Sequence, residues 1–274
     1  MILYAVVGGI TELFPVSFSG HAVILQSVFN IPGLIDREGA YIRAAISLGT
    51  ILAIYLSFFH EARDNRITLR RIRRRDPRRK TATEIQLELR VNLLAIIAVI
   101  PVLFSFLFFR KGQSITALSR VAGFFVLYTI FILLCTRGPV GQREERDITV
   151  FDSILVGLFR MLCVFPGLSA VGVSLCIGRA RGFSNRFNLK FTYLLSLLFE
   201  IVSFIYYMIV AFRFGTFYGS LLIPCVLVAL ISAVVGYLTL TYFRNFFMGN
   251  KFRGISYYCV DVAAIACIIA IINT

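Results

Sequence analysis

Five side chains able to do chemistry fall close together near the start of the chain: Thr11, Glu12, Ser17, Ser19 and His21. The stretch around them is apolar, so each polar group there is costly unless it has work to do. Glu12 is suited to holding a divalent cation or to acting as general acid or base. His21, four residues after Ser17 and on the same helix face, is suited to proton transfer or nucleophilic attack. Ser17 lies just past a break at Phe14-Pro15, where a new helix would begin. A hydroxyl there caps free N–H groups, and those N–H groups favour an anion such as phosphate. The structural alternative is that Ser17 and Ser19 only cap and that His21 only bonds a neighbour. A second cluster, Gly167, Ser169 and Gly172, follows Phe165-Pro166. Its glycines allow backbone to approach a ligand, or small residues to seat one helix against another. Arg160 lies one to two turns before that break, Glu200 lies in a long apolar run, and Asp261 lies in the last one. Glu200 has two readings, a role at the site or a buried partner for Lys190, Arg160 or a backbone donor.

The elements that position these residues are written in the composition. Of 274 residues, 58% are hydrophobic and the mean hydropathy is +0.84, well beyond what a soluble core consumes. A helix needs ~20 apolar residues to cross a bilayer. Segments 41–59, 86–109, 117–134, 188–212, 218–242 and 253–272 meet or approach that length. Segments 2–29 and 151–178 are each cut by a proline into pieces too short to span. Irregular backbone at membrane depth survives only where protein or water satisfies it, so both read as re-entrant hairpins or broken helices. The two breaks resemble each other and lie half a chain apart, which is the sequence sign of an inverted repeat with a site between its halves. We therefore expect one all-α polytopic membrane domain over 1–274. It comprises a first repeat over about 1–109, a second over about 117–272, and a basic cytoplasmic loop over 60–85. The N-terminal apolar run lacks a basic start and enters a motif, so no cleavable signal peptide is expected.

Charge supports this arrangement. The formal net charge is +14. If the first hairpin enters from the outer face and the second from the inner, 21 of the 28 Lys+Arg fall on inner loops. Six, including Arg43, fall on outer ends, and Arg160 lies inside the second hairpin. That bias obeys the positive-inside rule. The run Arg70 to Lys80 then reads as a contact with anionic lipid rather than with nucleic acid. The six cysteines sit in or beside apolar segments with no CxxC pair, as packing residues do. Two histidines, His21 and His60, exclude a histidine-rich metal site.

The run Gly9-Ile10-Thr11-Glu12-Leu13-Phe14-Pro15-Val16-Ser17-Phe18-Ser19-Gly20-His21 resembles the first signature of the undecaprenyl diphosphate phosphatase (bacitracin-resistance) family, E-G-x-T-E-F-x-P-[IV]-S-S-[ST]-G-H. Pro166-Gly167-Leu168-Ser169-Ala170-Val171-Gly172 resembles its second, P-G-x-S-R-S-G. Ile46 to Ala53 resembles its third-helix pattern, and the likeness covers nearly the whole chain. The resemblance implies an inverted repeat with two re-entrant hairpins in the bacterial cytoplasmic membrane. It also implies removal of the terminal phosphate of a polyprenyl diphosphate, recycling the lipid carrier for cell-wall synthesis, with a divalent cation (Mg²⁺ or Ca²⁺) as aid. Carried over by position, Glu12 would be a metal ligand or acid/base, and Ser17, His21 and Ser169 catalytic residues. Ser19, Gly167 and Gly172 would hold phosphate. The chain departs from the pattern where Gly8 replaces a glutamate, Phe18 a serine, Ala170 the phosphate-binding arginine and Val171 a serine. Arg160 is a candidate replacement for that arginine. Two functions remain open at this point: a phosphatase, or a paralogue that binds or translocates a polyprenyl phosphate. The expected partners are that lipid and anionic membrane lipids, without nucleic acid, and a homodimer is left open.

Overall fold

Proline and helix-end chemistry set the elements of the structure, a computed structural model. It describes the backbone of residues 1–29, 39–73, 82–113, 117–214 and 219–272, with the side chains of 59–85 and 106–116 outside the description. Ten α-helices are present among the described residues: α1 (Ile2–Thr11), α2 (Phe18–Phe29), α3 (Ala40–Arg73), α4 (Ala82–Gln113), α5 (Leu118–Cys135), α6 (Val150–Met161), α7 (Ala170–Ala180), α8 (Asn185–Arg213), α9 (Leu222–Met248) and α10 (Gly254–Ile272). Strands are absent there apart from one isolated bridge between Arg143 and Phe183. Six helical segments are long and apolar enough to cross a membrane: Ala40–Phe58, Gln86–Ser105, Leu118–Cys135, Asn185–Arg213, Gly219–Met248 and Lys251–Ile272. They coincide with the expected spans, and they leave Ile209, Ile223, Leu238 and Ile271 facing outward. An apolar outer surface of this kind needs lipid around it. The protein is an all-α polytopic membrane protein.

The basic stretch expected as a loop over 60–85 is partly helical. α3 runs on to Arg73 and α4 begins at Ala82, because the stretch holds no proline before Pro77 and is rich in good helix formers. The side chains of Arg70 to Lys80 lie outside the described residues, so the expected lipid contact has no structural account.

α1, α2, α6 and α7 have 10, 12, 12 and 11 residues, each ~15–18 Å at 1.5 Å per residue and too short to span. Longer helices wall them in. α1 packs on α9 and α6 on α4, while α2 meets α5 and α10 and α7 meets α5 and α8. α3 lies against α8 and α9, and α5 against α10.

The first break shows how its backbone is satisfied. Pro15 disfavours helix at Phe14, and α1 ends at Thr11, earlier than the Phe14 expected from sequence. The carbonyls freed there are met by tyrosines. Tyr128 Oη of α5 donates to Pro15 O at 2.8 Å, and Tyr193 Oη of α8 donates to Leu13 O at 3.0 Å. Both tyrosines are buried in the largest apolar cluster.

Contacts at one end of the bundle join the segments that the charge pattern placed on one face. Arg90 donates to Arg146 O and Ile148 O, and Arg179 to Gly138 O. Asn185 reaches Phe247 O and Asn250 Oδ1. Lys190, one of the partners considered for Glu200, pairs instead with Glu145 at 2.7 Å. Asp152 is fully buried between Arg143 (2.7 Å) and Arg181 (2.5 Å). Although burial opposes its charge, these guanidiniums and Thr149 hold its carboxyl well below the usual carboxylate range. Arg43, counted among the outer ends, is 6% exposed and turned into the protein, where it has a carboxylate partner.

Two outcomes check the fold. In a cysteine-free background, cysteines introduced at Gln142 and Asn250 will react with an impermeant thiol reagent from one face, and a cysteine at Ala117 from the other. Tyr128→Phe will lower the unfolding free energy by about 1–3 kcal/mol, the cost of stranding the buried Pro15 carbonyl, read as a lower thermal midpoint in detergent.

Candidate functional site

The tips of the two broken segments touch. Gly167 N donates to Ser17 Oγ at 2.9 Å, and Gly20 N donates to the same oxygen at 3.2 Å. Both acceptor positions of that hydroxyl are filled, so its own proton points to Ser19 Oγ, 3.3 Å away. Gly167 has φ +116°, and a Cβ there would sit 2.7 Å from Phe124 Cβ. Only glycine takes this backbone in this space. A Cβ at Gly172 would lie 1.4 Å from Tyr128 Oη, the same hydroxyl that bonds Pro15 O. Gly167 and Gly172 thus serve close approach of the two segments.

Beside this contact lies a cavity lined by Thr11, Glu12, Phe18, Ser19, Arg43, Ser105, Arg160, Ser169 and Ala170, among others. Glu12 occupies the C-cap position of α1, on the turn where helix gives way. Its Oε1 accepts from Arg43 Nη1 at 2.6 Å, with the side chains 13% and 8% exposed. The Arg43 guanidinium lies 4.3 Å over the Phe18 ring and 5.2 Å from that of Tyr207. Ser169 caps α7 by accepting from Gly172 N at 3.2 Å, so the start of an 11-residue helix borders the cavity. Arg160, 3% exposed, donates to Ala170 O (3.2 Å), Ser174 Oγ (3.0 Å) and Ser196 Oγ (3.0 Å). Its buried Nε has no hydrogen-bond partner. In place of an arginine at position 170, the chain thus brings a guanidinium to the Ala170 carbonyl from ten residues upstream.

Of the residues singled out from sequence, the structure brings Glu12, Ser19, Ser169 and Arg160 to one cavity. Ser17 and His21 stand behind it. Ser17 is 1% exposed and forms the bridge between the segments. His21 Nδ1 lies 2.6 Å from Ser17 O and Nε2 2.7 Å from Tyr258 Oη. A carbonyl only accepts, so Nδ1 carries the proton and the neutral ring's Nε2 accepts from the tyrosine. Glu200 is buried with Oε2 lacking a hydrogen-bond partner, and it does not line the cavity. Asp261 is on the exposed surface of α10.

Sequence reasoning missed Arg43, although a guanidinium three residues inside an apolar span was a usable signal. It also missed Tyr128, Tyr193 and Tyr258. Nothing in sequence separates a tyrosine that bonds a broken backbone from one that packs.

The donor set does not fit a carboxylate-held divalent cation. Among the described residues Glu12 is the one carboxylate lining the cavity, and its Oε1 is taken by Arg43. A second carboxylate at position 8 would require the Ile46 side chain to move, because a Cβ on Gly8 would lie 2.7 Å from Ile46 Cγ2. Among the described residues no three His, Cys, Asp or Glu side chains cluster as metal ligands do.

Known proteins resemble this chain along its length. A protein named undecaprenyl-diphosphatase from Alkaliphilus metalliredigens is 27% identical over 99% of this chain and 98% of its own. One of the same name from a Ruegeria species is 30% identical over 72% of this chain and 71% of its own. Another, from Thermosipho africanus, is 25% identical over 97% of both chains. The family model described as bacitracin resistance protein BacA matches residues 1–265, and the chain belongs to that family.

Proposed function

We propose that the protein is an undecaprenyl-diphosphate phosphatase. It hydrolyses the terminal phosphate of a polyprenyl diphosphate in the bacterial cytoplasmic membrane, within lipid-carrier recycling for the cell wall. The observation that carries this reading is the single cavity shared by Glu12, Ser19, Ser169, Arg43 and Arg160 at the meeting of two broken helices. Free N–H groups at a helix start, together with guanidiniums, favour phosphate. The paralogue that only binds or translocates lipid phosphate is the less favoured reading, since a hydroxyl and a carboxylate face the same space as the anion-binding groups.

In this reading the terminal phosphate lies against the start of α7, with Arg160 and Arg43 balancing its charge. A P–O bond forms from water to the terminal phosphorus while the bridging P–O bond breaks. The polyprenyl monophosphate leaves, inorganic phosphate is the second product, and Glu12 is the group placed to relay the water's proton. Ser19, polarised by the Ser17 hydroxyl, binds a phosphate oxygen. His21 is a positioning residue: it fixes the Ser17 carbonyl and, through it, the turn that carries Ser19.

The two short-helix pairs are read as re-entrant hairpins within an inverted repeat of α1–α5 and α6–α10. The packing of α1 on α9 and of α6 on α4 supports this, as does that of α3 on α9 and of α8 on α4. This pairing moves the boundary between the halves to after α5, so the first half extends beyond residue 109.

Phosphate release from a polyprenyl diphosphate by the purified protein tests the function. Glu12→Gln and Ser169→Ala should each lower kcat about 10²–10³-fold, the typical loss for one electrostatic group at a reacting centre. His21→Ala should cost about 10²-fold through misplacement, partly recovered in His21→Asn. Saturable lipid-phosphate binding with no release would overturn the phosphatase in favour of the paralogue.

A further inference from the structure

We infer that the Arg43 guanidinium takes the place of a divalent cation in this protein, so that its phosphate site works without metal. The inference rests on the phosphate-site reading above. The resemblance implies a site of two glutamates, one divalent cation and one arginine, which sums to a net charge of +1. Among the described residues the charged groups lining the cavity are Glu12, Arg43 and Arg160, and buried Glu200 interacts electrostatically with all three from outside it. Arg43 is the cation that stands against the Glu12 carboxylate.

Two departures in this chain, Gly8 and Phe18, and the placement of Arg43 belong together on that account. Gly8 removes one carboxylate, and Ile46 fills the space it would need. Phe18 supplies an aromatic face 4.3 Å from the Arg43 guanidinium, which suits a cation that is weakly hydrated and planar. Arg43 sits 2.6 Å from the Glu12 carboxylate, the side chain that would otherwise coordinate the ion. A hydroxyl at position 18 would offer no such platform. A guanidinium also carries five N–H donors in one plane, of which the Glu12 bond uses one. It can therefore bridge carboxylate and phosphate, as a metal ion would. Arg160 supplies the second fixed charge at the same cavity, and its buried Nε has no hydrogen-bond partner.

The experiment uses full-length protein in detergent and a non-hydrolysable methylene-bisphosphonate analogue of farnesyl diphosphate, titrated with EDTA and with Mg²⁺ or Ca²⁺. Wild-type affinity should agree within about 2-fold between the conditions, because no electrostatic partner is lost when the ion is removed. Arg43→Lys should bind about tenfold more weakly, since a lysine does not reproduce the planar fork. The double variant Glu12→Gln/Arg43→Gln, which removes both members of that ion pair together, should lose at least about tenfold in affinity while keeping the wild-type elution profile in detergent. Wild-type binding that collapses in EDTA and returns with Mg²⁺ overturns the inference. Phosphate release assayed in parallel separates the two readings. Release that strictly needs metal would sink this inference and keep the phosphatase. Metal-free binding without release would sink the phosphatase and keep the role of Arg43.

Discussion

The Ser17 hydroxyl joins the two broken segments of the molecule. It accepts one N–H from its own helix start and one from Gly167, 150 residues away in sequence. Each of those amides lies where a helix has been broken by a proline, in surroundings too dry for water to replace the partner. An amide left unpaired there would cost several kcal/mol. The oxygen therefore holds both breaks in register, and the cavity beside it has a fixed shape. Tyr128 and Tyr193 extend the same logic to the acceptors, meeting the Pro15 and Leu13 carbonyls from α5 and α8.

Once the backbone is satisfied in this way, the side chains next to it are free for other work. Glu12 is exposed to the cavity because α1 unwinds at that residue, and Ser169 because α7 begins there. Breaking a helix is costly, and the result is two helix ends and a carboxylate facing a common space. An unbroken pair of spanning helices would have buried those same groups in its own hydrogen-bond ladder.

The charges in the cavity show how a site tolerates loss of familiar residues. A glutamate and an arginine of the resembled pattern are absent at Gly8 and Ala170. Arginines from elsewhere, Arg43 on α3 and Arg160 on α6, reach the same cavity. Arg160 approaches the Ala170 carbonyl from ten residues upstream, so a guanidinium borders the cavity from another helix.

Much of this was legible in the sequence. Six spans follow from the lengths of apolar runs, and two broken segments follow from Phe-Pro pairs inside such runs, because a backbone in lipid has few options and proline removes one of them. The polar residues clustered at the breaks named Glu12, Ser19, Ser169 and Arg160 before any coordinates. Only the tertiary structure decided which of the neighbouring groups face the cavity. Ser17 and Ser19 are two residues apart and of like chemistry, yet one is a sealed bridge and the other lines the space. Arg43, counted from sequence only among the charges at outer ends, turns inward because Glu12 lies across from it on another helix. Such pairings depend on helix packing between segments far apart in the chain. A local pattern of residue types carries no record of the rotation that packing sets.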